Sequence, residues 1–237
     1  MKLSAKPERS PDIKEVTYGS ERWSLLWQFR HKAQKLMEVL EQRHIQVIVH
    51  GSIARGDVAP TSDIDIIIPD PPSSFLIETA LEQAKIPNTT RMLIQATPAY
   101  AMKAYIEIDA ATTISVPLMG LRRVEREFYR FSGEVNLAQL EASVRVEGVD
   151  KRLMLIEPTR TGHFEKAIIG NEEQVANRLG IAVETVLDRV HAILKRDSVG
   201  RTGVFVKKRL EHYETFELAL KRLADENPAV RRRLKSK

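Results

Sequence analysis

The stretch His50–Ile68 reads HGSIARGDVAPTSDIDIII. It closes on an apolar run, yet Asp63 and Asp65 stand at the start of that run. Side chains in a strand alternate between faces, so Asp63 and Asp65 point one way while Ile64 and Ile66 point the other. Two ionised carboxylates on one face of a largely buried strand repel each other, and burial alone raises their pKa values or unfolds the site. A divalent cation resolves the conflict, and hard carboxylate oxygens suit Mg²⁺ or Mn²⁺. Turn chemistry accounts for Asp63 but not for Asp65 inside an isoleucine run.

Just upstream, IQVIVH reads as a short β-branched strand, and Gly51 and Ser52 follow almost at once. A glycine there lets the backbone approach a bulky anion. Backbone N–H groups and the Ser52 hydroxyl then suit phosphate oxygens, and Arg55 adds positive charge. One short segment thus offers a phosphate cradle beside a carboxylate pair, which is what a nucleoside triphosphate (NTP) bound through Mg²⁺ needs.

The pattern resembles the nucleotidyltransferase superfamily typified by DNA polymerase β, the CCA-adding enzymes and the minimal nucleotidyltransferases. Its hallmark is an apolar strand, Gly followed by Gly or Ser, a spacer, and Asp-apolar-Asp/Glu on a second strand; VIVHGSIARGDVAPTSDIDIII carries each element. GSIARGD followed by SDIDIII is especially similar to the minimal nucleotidyltransferases. The resemblance covers residues 45–68 and implies metal-dependent transfer of a nucleoside monophosphate from an NTP to a hydroxyl, with release of pyrophosphate. It also implies Asp63 and Asp65 as metal ligands, Gly51, Ser52 and Arg55 as triphosphate contacts, and a third acid on a later strand. KAYIEIDAATTISVPL offers Glu107 and Asp109, two apart and on one side if the strand continues. The context YIEIDAAT favours Asp109 as catalytic residue and metal ligand, with Glu107 behind it. The competing reading is a hairpin turn at IDAATT.

The remaining sequence bounds the class. The chain has 237 residues, 43% apolar and 29% charged, with no cysteine. That length suits one large domain or a domain with a smaller second one, and excludes disulfides and thiolate metal sites. Absent cysteines, no apolar run of membrane-spanning length and a start without a secretory h-region point to a cytoplasmic protein with no membrane partner. The net charge of +5 favours a polyanionic partner, RNA or DNA, beside the NTP. Scattered histidines without HExxH spacing argue against zinc.

Helical and strand-like periods mix along the front of the chain, so the fold class is α+β (mixed α/β): a small mixed sheet flanked by helices, followed by a helical domain. The predicted divisions are a mobile arm over 1–19, a nucleotidyltransferase domain over 20–170, and a helical domain over 171–237. SVRVEG and RLMLIE read as strands, PTRTGH as a loop that places His163 at the surface, and RRRLKSK as a basic tail. Arg122, Arg123, Arg126 and Arg130 cluster with Phe128, Tyr129 and Phe131, either to grip a nucleic acid or as an amphipathic segment with solvated arginines. EEQVANRLGIAVETVLDRV, with Ala176, Gly180 and Val186, looks like a helix-turn-helix whose second helix presents Glu184, Thr185, Asp188 and Arg189. The alternatives are therefore a DNA-binding regulator with a nucleotide-sensing or inactive front domain, and an antitoxin-type protein nucleotidyltransferase. The acceptor, base preference and oligomeric state are not legible.

Overall fold

The computed structural model describes residues 6–8, 12–200 and 203–236. In chain order the elements are β1 (Lys14–Thr17), α1 (Ser20–Glu41), β2 (Ile48–His50), α2 (Ser52–Arg55), β3 (Ile64–Ile67), α3 (Ser74–Gln83), β4 (Thr90–Gln95), β5 (Lys103–Asp109) and β6 (Thr112–Pro117). There follow α4 (Arg123–Phe131), β7 (Glu134–Asn136), α5 (Leu137–Glu141), β8 (Gly148–Val149), β9 (Met154–Pro158), β10 (Gly162–Ala167), α6 (Glu172–Leu179), α7 (Val183–Val199), β11 (Val206–Arg209), α8 (Phe216–Glu226) and α9 (Pro228–Lys235). The fold is the mixed α/β type that the alternating periods imply. Among the described residues, no helix is long and apolar enough to cross a membrane.

The chain divides into two compact units that interleave along the sequence. One takes the described residues through Lys32, Val49–Ser62 and 123–200; the other takes Ala33–Ile48, Asp63–Arg122 and 203–236. The boundary expected near Gly170 falls inside the first of these.

The second unit is built on strands in the order β11-β4-β5-β6-β3. β3 runs parallel to β6 and the other pairs are antiparallel. Burial alternates cleanly along β5, where Ala104, Ile106 and Ile108 are buried and Lys103, Tyr105, Glu107 and Asp109 are not. The buried face and the apolar stripes of α1 (Ala33, Met37, Leu40), α3 (Ile77, Leu81) and α8 (Phe216, Ala219) supply the core. α8 and α9 are parted by Asn227 and Pro228. The Asn227 side chain accepts from the Ala229 N–H, and Pro228, without an N–H to lose, starts the next helix. The basic C-terminal run is not a solvated tail: Arg233 is buried and donates to the carbonyls of Ala99 and Gly120.

The first unit holds an antiparallel sheet β1-β10-β9-β8, and the β2–β7 pair. Phe131, Val149, Leu155, Ile168, Val175 and Val186 are among its buried cluster. Asn136 and Gln139 form a reciprocal capping box at the start of α5.

Three expectations change here. The arm expected to be mobile through residue 19 instead contributes β1, because its backbone pairs with β10 and Gly162 lets the two strands close up. A Cβ on Gly162 would lie 1.8 Å from the Val16 carbonyl oxygen. Residues 1–5 and 9–11 of that arm lie outside the described residues. PTRTGH is not wholly a loop, since Gly162 and His163 already belong to β10. Of SVRVEG only the last residue, Gly148, lies in a strand, where it opens β8.

Candidate functional site

The turn from β2 into α2 is set by Gly51, at φ +79° and ψ −145°, a backbone conformation that L-residues avoid. A Cβ at Gly51 would meet nothing within 4 Å, so that side of the turn is open to an approaching group. The Gly51 N–H is engaged by the Gly133 carbonyl at 2.9 Å. The N–H groups of Ser52 and Ile53, in the first turn of α2, have no acceptor within their own helix. The Ser52 hydroxyl donates to Ser62 Oγ at 3.2 Å, and Ser62 Oγ accepts the Ala59 N–H at 3.0 Å, which ties the loop into a closed Gly51–Ser62 segment.

Arg55 lies inward. It is 4% exposed, and its guanidinium donates to the Ser132 carbonyl at 2.5 Å and to Asp57 at 2.8 Å. Burial pushes the Asp57 carboxyl up, but the charge and hydrogen bond of Arg55 outweigh it and hold the group below the ordinary carboxylate range. Arg55 thus braces the phosphate-loop candidate from within; its side chain is spent on internal partners rather than presented outward.

In the second unit, β3 shows the alternation read from DIDI. Ile64 and Ile66 are fully buried, whereas Asp63 is half-buried and Asp65 exposed. The premise of carboxylates forced into a buried strand is corrected: one face of β3 is buried and the acids stand on the other. Ile64 N–H donates to Ala111 O at 2.7 Å, fixing the parallel register with β6. In that register Asp65 lies opposite Thr113, and Thr113 lies opposite Glu107 of β5. Asp65, Thr113 and Glu107 therefore make one cross-strand row on one face. Tyr105, in the neighbouring row opposite Ser115, is pushed up to about 12 by burial and then by the Asp65 charge, so it remains a neutral O–H donor.

Asp109 ends β5, past a register shift, and its carboxylate accepts the Ala111 N–H at 3.0 Å across the β5–β6 turn. Among the described residues, no group of three or more His, Asp or Glu side chains is arranged to hold a metal ion. The accessible pair Asp63 and Asp65 nevertheless fits an ion that arrives with a nucleotide, because Mg²⁺ typically takes one or two carboxylates and completes its octahedron with phosphate oxygens and water.

The secondary signals resolve into packing. Arg126 grips Glu134 in a bidentate pair, Arg123 pairs with Glu127, and Tyr129 and Phe131 are buried, as the amphipathic reading requires. His163 is 1% exposed rather than at the surface; its Nδ1 meets the Tyr18 hydroxyl at 2.5 Å and its Nε2 meets Glu165 at 3.0 Å. α6 and α7 do form a helix pair about a left-handed Gly180. The first turns of α7 are engaged with α4: Thr185 is buried and donates to Glu127 at 2.6 Å, and Arg189 sits over the Phe128 ring. Sequence periodicity finds such a pair but not the α4 neighbour that Thr185 and Arg189 engage.

Residues 33–118 match the family described as "Nucleotidyltransferase domain". No curated protein sequence matches the chain. One chain in a solved structure described as the GLD-2/RNP-8 complex is similar at 16% identity, with 90% of this chain and 81% of that chain covered and a TM-score of 0.32. That likeness is too loose to carry function from one chain to the other.

Proposed function

We propose, from the premise that residues 33–118 form a nucleotidyltransferase domain of the polymerase β-like type, that the chain transfers a nucleoside monophosphate from an NTP to a hydroxyl in a reaction dependent on Mg²⁺ or Mn²⁺. The observation that carries this is the pair Asp63 and Asp65 flanking fully buried Ile64 on the accessible side of β3. The two acids share the solvent side of one strand, which supports their reading as joint ligands of one cation. Gly51 and Ser52 take the phosphates, through an open glycine turn, a hydroxyl and the first N–H groups of α2. Arg55 and Asp57 keep that loop in shape.

The ion supplies charge neutralisation and Lewis acidity for loss of pyrophosphate. The chain's own groups bind, orient and move the proton. Asp63 and Asp65 bind the nucleotide's metal, and an acid on β5 accepts the acceptor hydroxyl's proton as its oxygen bonds the α-phosphorus and the bond to the leaving pyrophosphate breaks. Of the two acids weighed from the sequence, Glu107 shares the Asp65 row, while Asp109 supports the hairpin turn. We therefore assign the proton acceptor to Glu107.

Calorimetric titration of NTP with Mg²⁺ tests the reading. The wild-type chain binds, and Asp63→Asn/Asp65→Asn loses at least about tenfold in affinity, as expected when a charge-assisted ligand pair is removed. Equal binding by the two proteins overturns it. Thr185 and Arg189, two of the four residues that the DNA-regulator reading presents, are engaged with α4, which weighs against that reading.

A further inference from the structure

The second unit holds a cleft of about 580 Å³, bounded by the end of α1, the loop after β3 and the outer turns of α3. Asp63 precedes the first residue of β3, whereas Asp70, in the cleft wall, follows its last residue by three positions. The cleft therefore lies past the opposite end of that strand from Asp63. Its volume is in the range of small-molecule sites. Ile45, Pro71, Pro72, Leu76 and Ala80 give it apolar surface. Ile45 and Ala80 are buried and Leu76 is 52% exposed, so that surface continues from the interior out to solvent. Arg43 and Asp70 bring opposite charges to the same cleft without pairing. Among the described residues, the Arg43 side chain bonds only the neutral Gln83, and the Asp70 carboxylate has no partner. The Gln83 bond ties the end of α1 to the end of α3 and engages Arg43 there. His44, the next residue, has φ +58°, a left-handed conformation that glycine adopts more cheaply.

We propose that this cleft is a second ligand site, and that its ligand is a small zwitterion with an apolar side chain, a free amino acid or a dipeptide. The carboxylate of the ligand meets Arg43, its ammonium meets Asp70, and its side chain covers Ile45, Leu76 and Ala80. An unpaired cation and an unpaired anion beside one apolar surface are complementary to a molecule that carries both charges. A simple anion leaves Asp70 unmatched, and a simple cation leaves Arg43 unmatched. A neutral apolar ligand desolvates both charges with no return. A nucleotide sets further negative charge against Asp70. The site stands on the cleft's own residues and does not depend on the transfer reaction. It gives the unit that carries Asp63 and Asp65 a second input, separate from the nucleotide.

The experiment is ligand-observed NMR and calorimetry with L-leucine and L-leucyl-L-leucine on the wild-type chain, Asp70→Asn and Arg43→Gln. N-acetyl-L-leucine, which lacks the cation, and L-leucinamide, which lacks the anion, are the matched controls. Arg43 and Asp70 are exposed, so neither substitution disturbs the core. The wild-type chain binds at least one of the two zwitterions, and the free and dipeptide arms identify the source. Each blocked compound binds it at least about tenfold more weakly. Asp70→Asn loses at least about tenfold in affinity for the zwitterion but binds N-acetyl-L-leucine as the wild type does, and Arg43→Gln behaves likewise toward L-leucinamide. Thr79→Trp, which fills the cleft from a half-buried position, abolishes binding. NTP with Mg²⁺ binds all four proteins alike. Failure of the wild-type chain to bind either zwitterion overturns the site, as does zwitterion binding that is equal in either charge variant or equal for either blocked compound. Loss of NTP binding in Asp70→Asn overturns its separateness from the nucleotide.

Discussion

Asp65 of β3 and Glu107 of β5 stand in one row of the sheet, separated only by Thr113 of the intervening β6. Their Cα atoms are two strand spacings apart, roughly 10 Å. A Cα span of that size leaves room for a phosphoryl group or a hydroxyl between the two residues. Asp109 differs: it accepts a turn N–H, a task that Asn performs equally well. Label transfer from an NTP is therefore expected to fall by about 10²-fold in Glu107→Gln and to change little in Asp109→Asn. The reverse order would return the third acid to Asp109.

Arg55 and Asp57 form a pair with side chains only 5% and 11% exposed. Removing one partner of such a pair strands a buried charge, at a cost of about 3–5 kcal/mol. Urea unfolding of Arg55→Met is expected to show that loss. Arg55→Met/Asp57→Leu, which removes both charges, is expected to be the more stable of the two proteins. An Arg55→Met chain of wild-type stability would mean that Arg55 is not a brace.

Asp57 and Glu165 are both held below their ordinary range, each raised by burial but lowered further by an arginine, Arg55 and Arg152 respectively. A carboxyl whose pKa is lower folded than unfolded favours the folded state above its unfolded value, about 3.9 for Asp and 4.3 for Glu. That contribution is lost as pH falls through the lower folded value. Thermal unfolding is thus expected to be steady from neutral pH to about 5 and to weaken below about 4, with a shallower acid decline in Asp57→Asn.

Tyr18 and Tyr105 are each pushed up to about 12 by burial, with Asp65 adding to the effect at Tyr105. A spectrophotometric titration is expected to show a late-ionising tyrosine component. Tyr105→Phe removes part of it, and Tyr18→Phe/Tyr105→Phe removes more. A Tyr105 that ionised in the ordinary range would mean that its hydroxyl is not buried on the sheet.

Much of the candidate site was legible because its signals are local. Gly51 announces its own backbone, and the apolar-acid alternation of residues 63–66 sets which side chains face out, whatever packs behind them. Pro228 marks the α8–α9 break for the same reason. Other features had no local signature. Residues 14–17 have one apolar side chain, Val16, and pair only because β10 lies alongside with a glycine at 162. VKKR at 206–209 carries a strand pattern too weak to read, and it is ordered by pairing with β4. His163 looks like a loop residue until Tyr18 and Glu165 close over it.

The period of each strong element and the residue types at the glycine turn and the acid pair are set locally, by steric and hydrogen-bonding limits within a few residues of chain. Which acid of β5 lines up with Asp65, the inward turn of Arg55 and the engagement of Thr185 and Arg189 with α4 emerge only when distant segments pack. Those outcomes depend on strand register and on partners far along the chain, and residue spacing carries no record of either.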